Sequence, residues 1–258
     1  GITRKDVSNL LAPIEGIVLP NRVLATIRPV FTFAVKEEYI PASPASLQDK
    51  IKEEPRDRVL KMDELVRIWN AAPLCGWPFG HLVRLLMLTG QRRNEVAEMK
   101  WVEVSQDDAT WIIPKERTKA RRAHLVPLSG PALAMLESCP RMGEYVLSSD
   151  GRTHVGGFSK GKQALDTYLS ATGEPMEPWR LHDLRRSCAT HMVERLGTRE
   201  LVVERVLNHA PKGVTATVYI HTAYAAEKRE ALDKWAAELM ESISPPLPSN
   251  VVQINGKR

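Results

Sequence analysis

Apolar residues recur at helical spacing over most of this chain and alternate as in a strand over only a short part of it. Near the start, Asp6–Leu11 predicts a short helix. A longer one is expected from Asn21, as its cap, to Glu38, with Val23, Ile27, Val30, Phe31 and Ala34 as the apolar stripe. Pro29 is expected to kink that helix, and Ile40-Pro41-Ala42-Ser43-Pro44 to stop it. Further helices are predicted over Asp63–Ala72, from Pro78 to a stop at Gly90, over Arg93–Met99, and from Ser129 and Pro131 onward. Phe158–Ala171, Leu181–Leu196, Arg199–Leu207 and Ala225–Ile243 complete the set. Thr110–Pro114 and His124–Pro127 read as a hairpin, with Tyr145–Leu147 as a third strand. The fold class expected is mainly α with a small antiparallel β-sheet.

The pattern also divides the chain. Residues 1–50 form a small helical region, 51–58 a charged linker, 59–243 the main domain and 244–258 a flexible tail rich in proline. Apolar residues make up 43% of the 258, ample for a real core. The three cysteines are far apart and make no CxxC pair, which fits reduced thiols in a cytoplasmic protein. No apolar run approaches the ~20 residues of a membrane span, so no membrane partner is expected. The net charge of +5 leans towards a polyanion, and its distribution says more. Lys115-Glu116-Arg117-Thr118-Lys119-Ala120-Arg121-Arg122 sets five cations against one acid, at the tip of the predicted hairpin. Such a run is either a solvated face or a nucleic-acid contact.

Candidate chemistry lies in four short motifs. Thr89-Gly90-Gln91-Arg92-Arg93-Asn94-Glu95 places Arg92 at a helix junction, with Glu95 one turn on to brace it. An arginine there is either merely exposed or a two-pronged donor to phosphate. His182 and Arg185, three apart, share a helix face beside the stripe Leu181, Leu184, Cys188, Met192 and Leu196. Arg93 and Arg186 read as exposed or DNA-facing neighbours of the two arginines. His209 ends a helical stretch, and Tyr219 follows ten residues later. There is no HExxH, Walker loop, EF-hand pattern or aspartate cluster, so neither metal nor cofactor is implied.

The ordered set Arg92, Lys119, His182, Arg185, His209 and Tyr219 resembles the tyrosine recombinase, or phage integrase, family. The ending Tyr219-Ile220-His221-Thr222-Ala223-Tyr224 and the lysine- and glutamate-rich helix after it are similar to integrases of prophages and genomic islands. The resemblance implies a catalytic domain over 59–243, preceded by part of a helical core-binding domain. It suggests a fragment lacking the family's amino-terminal arm-binding portion. It implies site-specific recombination, for integration or excision of a mobile element, through a 3′-phosphotyrosine. Tyr219 is the implied nucleophile, and Tyr224 the less well-spaced alternative. Arg92 and Arg185 would neutralise the phosphate, His182 would act as base or further donor, Lys119 as general acid and His209 as donor. Glu95 would support the site, and Lys115, Arg117, Arg121 and Arg122 would touch DNA. The implied partners are double-stranded attachment sites, a homotetramer on paired sites, and accessory DNA-bending or directionality proteins. The location implied is the cytoplasm, at the bacterial nucleoid. Asn208 departs from the glycine many members carry before the histidine, with little effect expected. The final helix either folds back on its own domain or, as the resemblance implies, packs on a neighbouring protomer. A type IB topoisomerase and a non-catalytic DNA-binding regulator are the rival readings.

Overall fold

The computed structural model describes residues 1–46, 48–54, 56–209 and 224–244. Tyr219 and the tail from 245 onward lie outside them. The chain forms two compact units, Gly1–Asp57 and Arg58–Arg258.

In the first unit α1 spans Arg4–Leu11 and α2 Val18–Lys36. Thr3 caps α1 reciprocally with Asp6: the Asp6 carboxylate accepts from the Thr3 amide at 2.8 Å, and the Thr3 hydroxyl accepts from the Asp6 amide at 3.3 Å. The helix expected from Asn21 begins three residues earlier. Pro20 falls in its first turn, where an amide proton has no helical partner anyway, so it costs nothing there. Asn21 is therefore not a cap. Its buried amide donates to the Ile51 carbonyl at 2.7 Å and accepts from the Ile51 amide at 2.9 Å, tying down the charged stretch. Pro29 lies inside α2, which continues to Lys36. The apolar stripe is also displaced: Val30 is exposed, and Leu24 is buried with Val7 and Ala45, flanked by Leu11, Ile27 and Phe31.

In the second unit α3 (Met62–Ala71) leads through a 3-10 turn to α4 (Phe79–Thr89). Almost every residue of α4 is buried, and it packs against α5 (Arg93–Ala97), α6 (Gly130–Glu137), α8 (Leu181–Glu194) and α10 (Ala225–Ile243). It ends as predicted at Gly90, in the left-handed region at φ 64°. α7 (Phe158–Ala171) packs on α3, and α9 (Glu200–Val206) on α8 and α10.

The hairpin is present as β2 (Thr110–Ile113) and β3 (His124–Pro127), with Trp111 opposite Val126 and Ile113 opposite His124. Its third strand is not Tyr145–Leu147 but β1, Val104–Ser105, antiparallel to β2. Tyr145 makes a single bridge to Lys100. Val146 and Leu147 are both fully buried, which the alternation of a strand with one wet face does not allow.

The final helix folds back on its own unit. Leu232, Trp235 and Leu239 are buried, and the Trp235 indole donates to the Met87 carbonyl of α4 at 2.7 Å. Lys228, a lysine in the first turn of α10, is 7% exposed and donates to the Leu125 carbonyl of β3. Arg229 donates beside it to the carbonyls of Asp108 and Ala109, at 3.0 and 3.1 Å. Two cations thus fasten the first turns of α10 to the sheet. Among the described residues no helix is long and apolar enough to cross a membrane.

Candidate active site

Arg185 is among the most buried of the sequence-selected residues, with Glu95. α8 is capped at Arg180, where the Asp183 carboxylate accepts from the Arg180 amide at 2.8 Å. One turn later Arg185 is 4% exposed, and its guanidinium is held by main-chain oxygens: Nη1 donates to Gly90 at 2.9 Å and Nη2 to Leu207. One side chain therefore ties α8 to the turn before Arg92 and the turn before His209. Burial, with Arg92 as a further cation, pulls its pKa down to about 10. It stays charged at neutral pH in a site that is already repulsive, and an anion between the two arginines would relieve that repulsion.

Arg92 stands at the N-terminus of α5. Glu95 is 4% exposed and grips it twice, accepting from the Arg92 amide at 3.0 Å and from its Nη1 at 2.9 Å. The expected brace is thus present. His182 lies on the open side of α8; partial burial, then Arg185, hold it below the usual imidazole range. His209 is shifted the same way by burial, then by Arg185 and Arg92, with Glu204 opposing. Both shifts favour the neutral imidazole, and Arg185 and Arg92 lie near enough to each histidine to contribute to them. A groove of about 570 Å³ runs from Arg92 and His182 past Arg93 and Asn94 to Ser159 and Arg180.

Asn208 precedes His209 at φ 51°, a conformation that asparagine and glycine adopt more readily than other residues. The asparagine therefore satisfies the same backbone requirement as glycine. Lys119 is exposed in the turn between β2 and β3. The buried Thr118 hydroxyl closes that turn, accepting from the Arg122 amide at 3.1 Å and donating to the Arg122 carbonyl at 2.7 Å.

The basic run divides once folded. Lys115 and Arg121 are exposed, as a DNA contact requires. Arg117 does not fit that expectation. Its side chain is 13% exposed, pairs with Glu103 and Glu98, and donates to the Glu95 carbonyl at 2.6 Å. Glu103 also accepts from the Trp111 indole at 3.0 Å, so Arg117 fastens the sheet to α5. Arg122 is likewise turned inward, donating from Nε to the Asn208 side-chain oxygen at 3.0 Å and from Nη2 to the His209 carbonyl at 2.6 Å. Arg186 pairs with Asp183 at 3.3 Å and reaches the Arg58 carbonyl, so it braces α8; Arg93 is exposed, over the Phe158 ring.

Patterning also missed Gln91. It is 1% exposed, and its amide donates to the carbonyls of Thr89 at 2.9 Å and Val206 at 3.0 Å. Its position between Gly90 and Arg92 was the only signal. Tyr219 lies outside the described residues. Tyr224, at φ 70° before α10, packs its ring against the core with Arg205 over it at 5.9 Å. No group of three or more histidine, cysteine, aspartate or glutamate side chains among the described residues is placed to hold a metal.

The family model for the phage integrase family matches residues 58–226. Prophage integrase IntZ of Escherichia coli K12 is 28% identical over 251 residues, covering 91% of this chain and 59% of the relative. The integrase of Enterobacteria phage P4 is 23% identical, covering 93% of this chain and 60% of its own length. The chain thus spans about three-fifths of each of these two relatives. Among solved structures, a lambda integrase tetramer bound to a Holliday junction matches with a TM-score of 0.65 at 20% identity, over 85% of this chain and 66% of that one. A lambda integrase dimer on a COC′ core site gives 0.64 at 20% identity, over 90% and 65%. These likenesses establish a shared fold, a mostly helical domain with a small antiparallel sheet. With the family match covering most of the second unit, the chain belongs to the phage integrase family.

Proposed function

We propose that this chain carries the catalytic part of a site-specific DNA recombinase that integrates or excises a mobile element. Supporting it is Arg185, whose guanidinium donates to the Gly90 and Leu207 carbonyls and so gathers the turns that lead to Arg92 and His209 against the helix that carries His182, with Tyr219 ten residues beyond His209. In this reading residues 1–50 are part of a core-binding domain and 59–243 the catalytic domain. Lys115 and Arg121 contact the DNA, whose backbone runs along the groove beside Arg92 and His182.

The Tyr219 hydroxyl attacks the scissile phosphorus and gives its proton to His182, whose lowered pKa favours the imidazole form that can accept it. The two arginines and His209 stabilise the charge that grows on the nonbridging oxygens. The bond from phosphorus to the 5′-oxygen breaks, and Lys119 protonates the departing oxygen. A 3′-phosphotyrosine and a free 5′-hydroxyl result, and a 5′-hydroxyl from a second duplex reverses the step. The charge stabilisation comes from side chains, and the reading requires neither metal nor cofactor. Relatives solved on DNA as a dimer and as a tetramer support four protomers acting on paired attachment sites. Accessory DNA-bending or directionality proteins and a cytoplasmic, nucleoid-associated location belong to the same proposal.

Sequencing DNA bound covalently to the protein in bacterial cells tests it. Discrete sites are expected from the wild type and from Tyr224→Phe, and none from Tyr219→Phe. Adducts that persist in Tyr219→Phe and vanish in Tyr224→Phe would overturn the assignment. DNA relaxation with no site preference would favour a topoisomerase, and site-specific binding without adducts a non-catalytic regulator.

A further inference from the structure

Lys119 and His209 are 90 residues apart, and the mechanism needs both at one phosphate. A lone exposed lysine in a turn has many rotamers and poor aim. The turn itself is not loose: Thr118 is 4% exposed and closes it through Arg122, with Arg121 at φ 51° inside. Arg122 ends that turn and leaves it in one direction. Its Nε meets the Asn208 side chain and its Nη2 the His209 carbonyl. Asn208 is itself buried and in the left-handed region, so the acceptor pair has a set geometry. A guanidinium presents parallel donors in a rigid plane and can span a side-chain oxygen and the next carbonyl together. An ammonium is a point charge and cannot hold both at a defined angle. Burial and the neighbouring Arg205 also depress the Arg122 pKa, as expected of a group drawn away from water.

We propose that Arg122 is a positioning residue that holds the Lys119 turn and His209 in a single register, rather than a DNA contact. The inference rests on the reading of the chain as a DNA-cleaving enzyme, and it also has a consequence that needs no DNA. In the free full-length protein, Arg122→Lys should speed amide hydrogen exchange at 118–122 and at 207–209 together. Loosening confined to the turn, or no loosening, overturns the clamp.

The second arm is catalytic. On a nicked duplex carrying a mapped site, Arg122→Lys should slow single-turnover adduct formation by about tenfold or more, within the range expected when a reacting group is misplaced by up to an ångström. The slope of log affinity against log salt should stay at the wild-type value, because no phosphate contact is lost. The cleavage defect should shrink when sulfur replaces the bridging 5′-oxygen, since a thiolate leaves without help from an acid. Arg122→Ala, checked for folding by its melting curve, should behave alike. Wild-type cleavage by Arg122→Lys, or a salt slope lowered by about 0.9 in Arg122→Ala, would make Arg122 a phosphate contact instead. A defect of equal size on the oxygen and sulfur substrates would show that Lys119 is not what moves. If the wild type forms no adduct, the cleavage reading fails, and the exchange experiment still decides the clamp.

Discussion

Replacing Gly90 with alanine tests how the site is built. Gly90 has φ 64°, and a Cβ added there would lie 2.9 Å from the Cys188 sulfur and 3.5 Å from a Leu207 methyl. Two costs are therefore separable. An L-residue in the left-handed region costs about 1–2 kcal/mol. Forcing a methyl into a filled core adds roughly 1–3 kcal/mol, and Cys188 is fully buried. The sum, about 2–5 kcal/mol, is a large part of the ~5–15 kcal/mol that holds a typical domain folded. Gly197 isolates the first cost, because it sits at φ 61° with nothing within 4 Å of its added Cβ. Urea unfolding should thus place Gly197→Ala about 1–2 kcal/mol below wild type and Gly90→Ala further down. Cys188→Ala should be costly alone yet recover roughly 1–3 kcal/mol in the Gly90→Ala background, a coupling of the size that contacting residues show. Because the Gly90 carbonyl holds Arg185, adduct formation by the folded Gly90→Ala protein should fall by about tenfold or more. Equal losses for the two glycines, or strict additivity with Cys188→Ala, would refute the steric argument.

Lys228 makes stability depend on pH. Burial, then Arg122, pulls its pKa down to about 8, against about 10.4 in an unfolded chain. Between those values the unfolded state binds more protons, so stability rises with pH. The cost of burying the cation is fully present below pH 8 and gone above about 10.4. From pH 7.5 to 9.5 the wild type should gain about 2 kcal/mol relative to Lys228→Met, read as the difference between their urea midpoints; parallel curves would remove Lys228 from the argument. Deleting residues 230–258 should unfold the second unit, since Leu232, Trp235 and Leu239 fill its core; a truncated protein with a sharp melting transition would contradict this. Arg117→Ala should destabilise by about 3 kcal/mol, because Glu103 loses its charge partner and keeps only the Trp111 indole and the Lys100 amide as donors, while leaving the salt dependence of DNA binding unchanged. A reduced salt slope would return Arg117 to the DNA contacts. Adduct formation should survive excess EDTA, and a strict magnesium requirement in that step would count against the proposed chemistry.

Local patterning placed helices near Phe158–Ala171 and Ala225–Ile243, where they are found, and it also placed the hairpin and the stop at Gly90. These features are local: side chains repeat at the period of their own helix or strand, and a turn uses residues that are neighbours in the chain. The pairing of Glu95 with Arg92 was legible for the same reason, at a spacing of three. Arg117 and Arg122 were not legible. In the sequence they are two cations in a basic run with Lys115, Lys119 and Arg121, and all five look alike. Their acceptors lie elsewhere: Arg117 meets Glu95 and Glu103, and Arg122 meets Asn208 and His209, 86 and 87 residues on. Asn21 finds its partners 30 and 32 residues away, and Lys228 its carbonyl 103 residues back. A polar side chain is directed by whichever unsatisfied donor or acceptor the fold brings within about 3 Å, and leaving one unmade in the interior costs more than the bond itself contributes. Spacing along the chain carries no record of that meeting. The sequence therefore determined where helices run and which residues could serve the chemistry, while the packing of α5, α8, α9 and the sheet decided which cations stay exposed and which are tied to the protein's own acceptors.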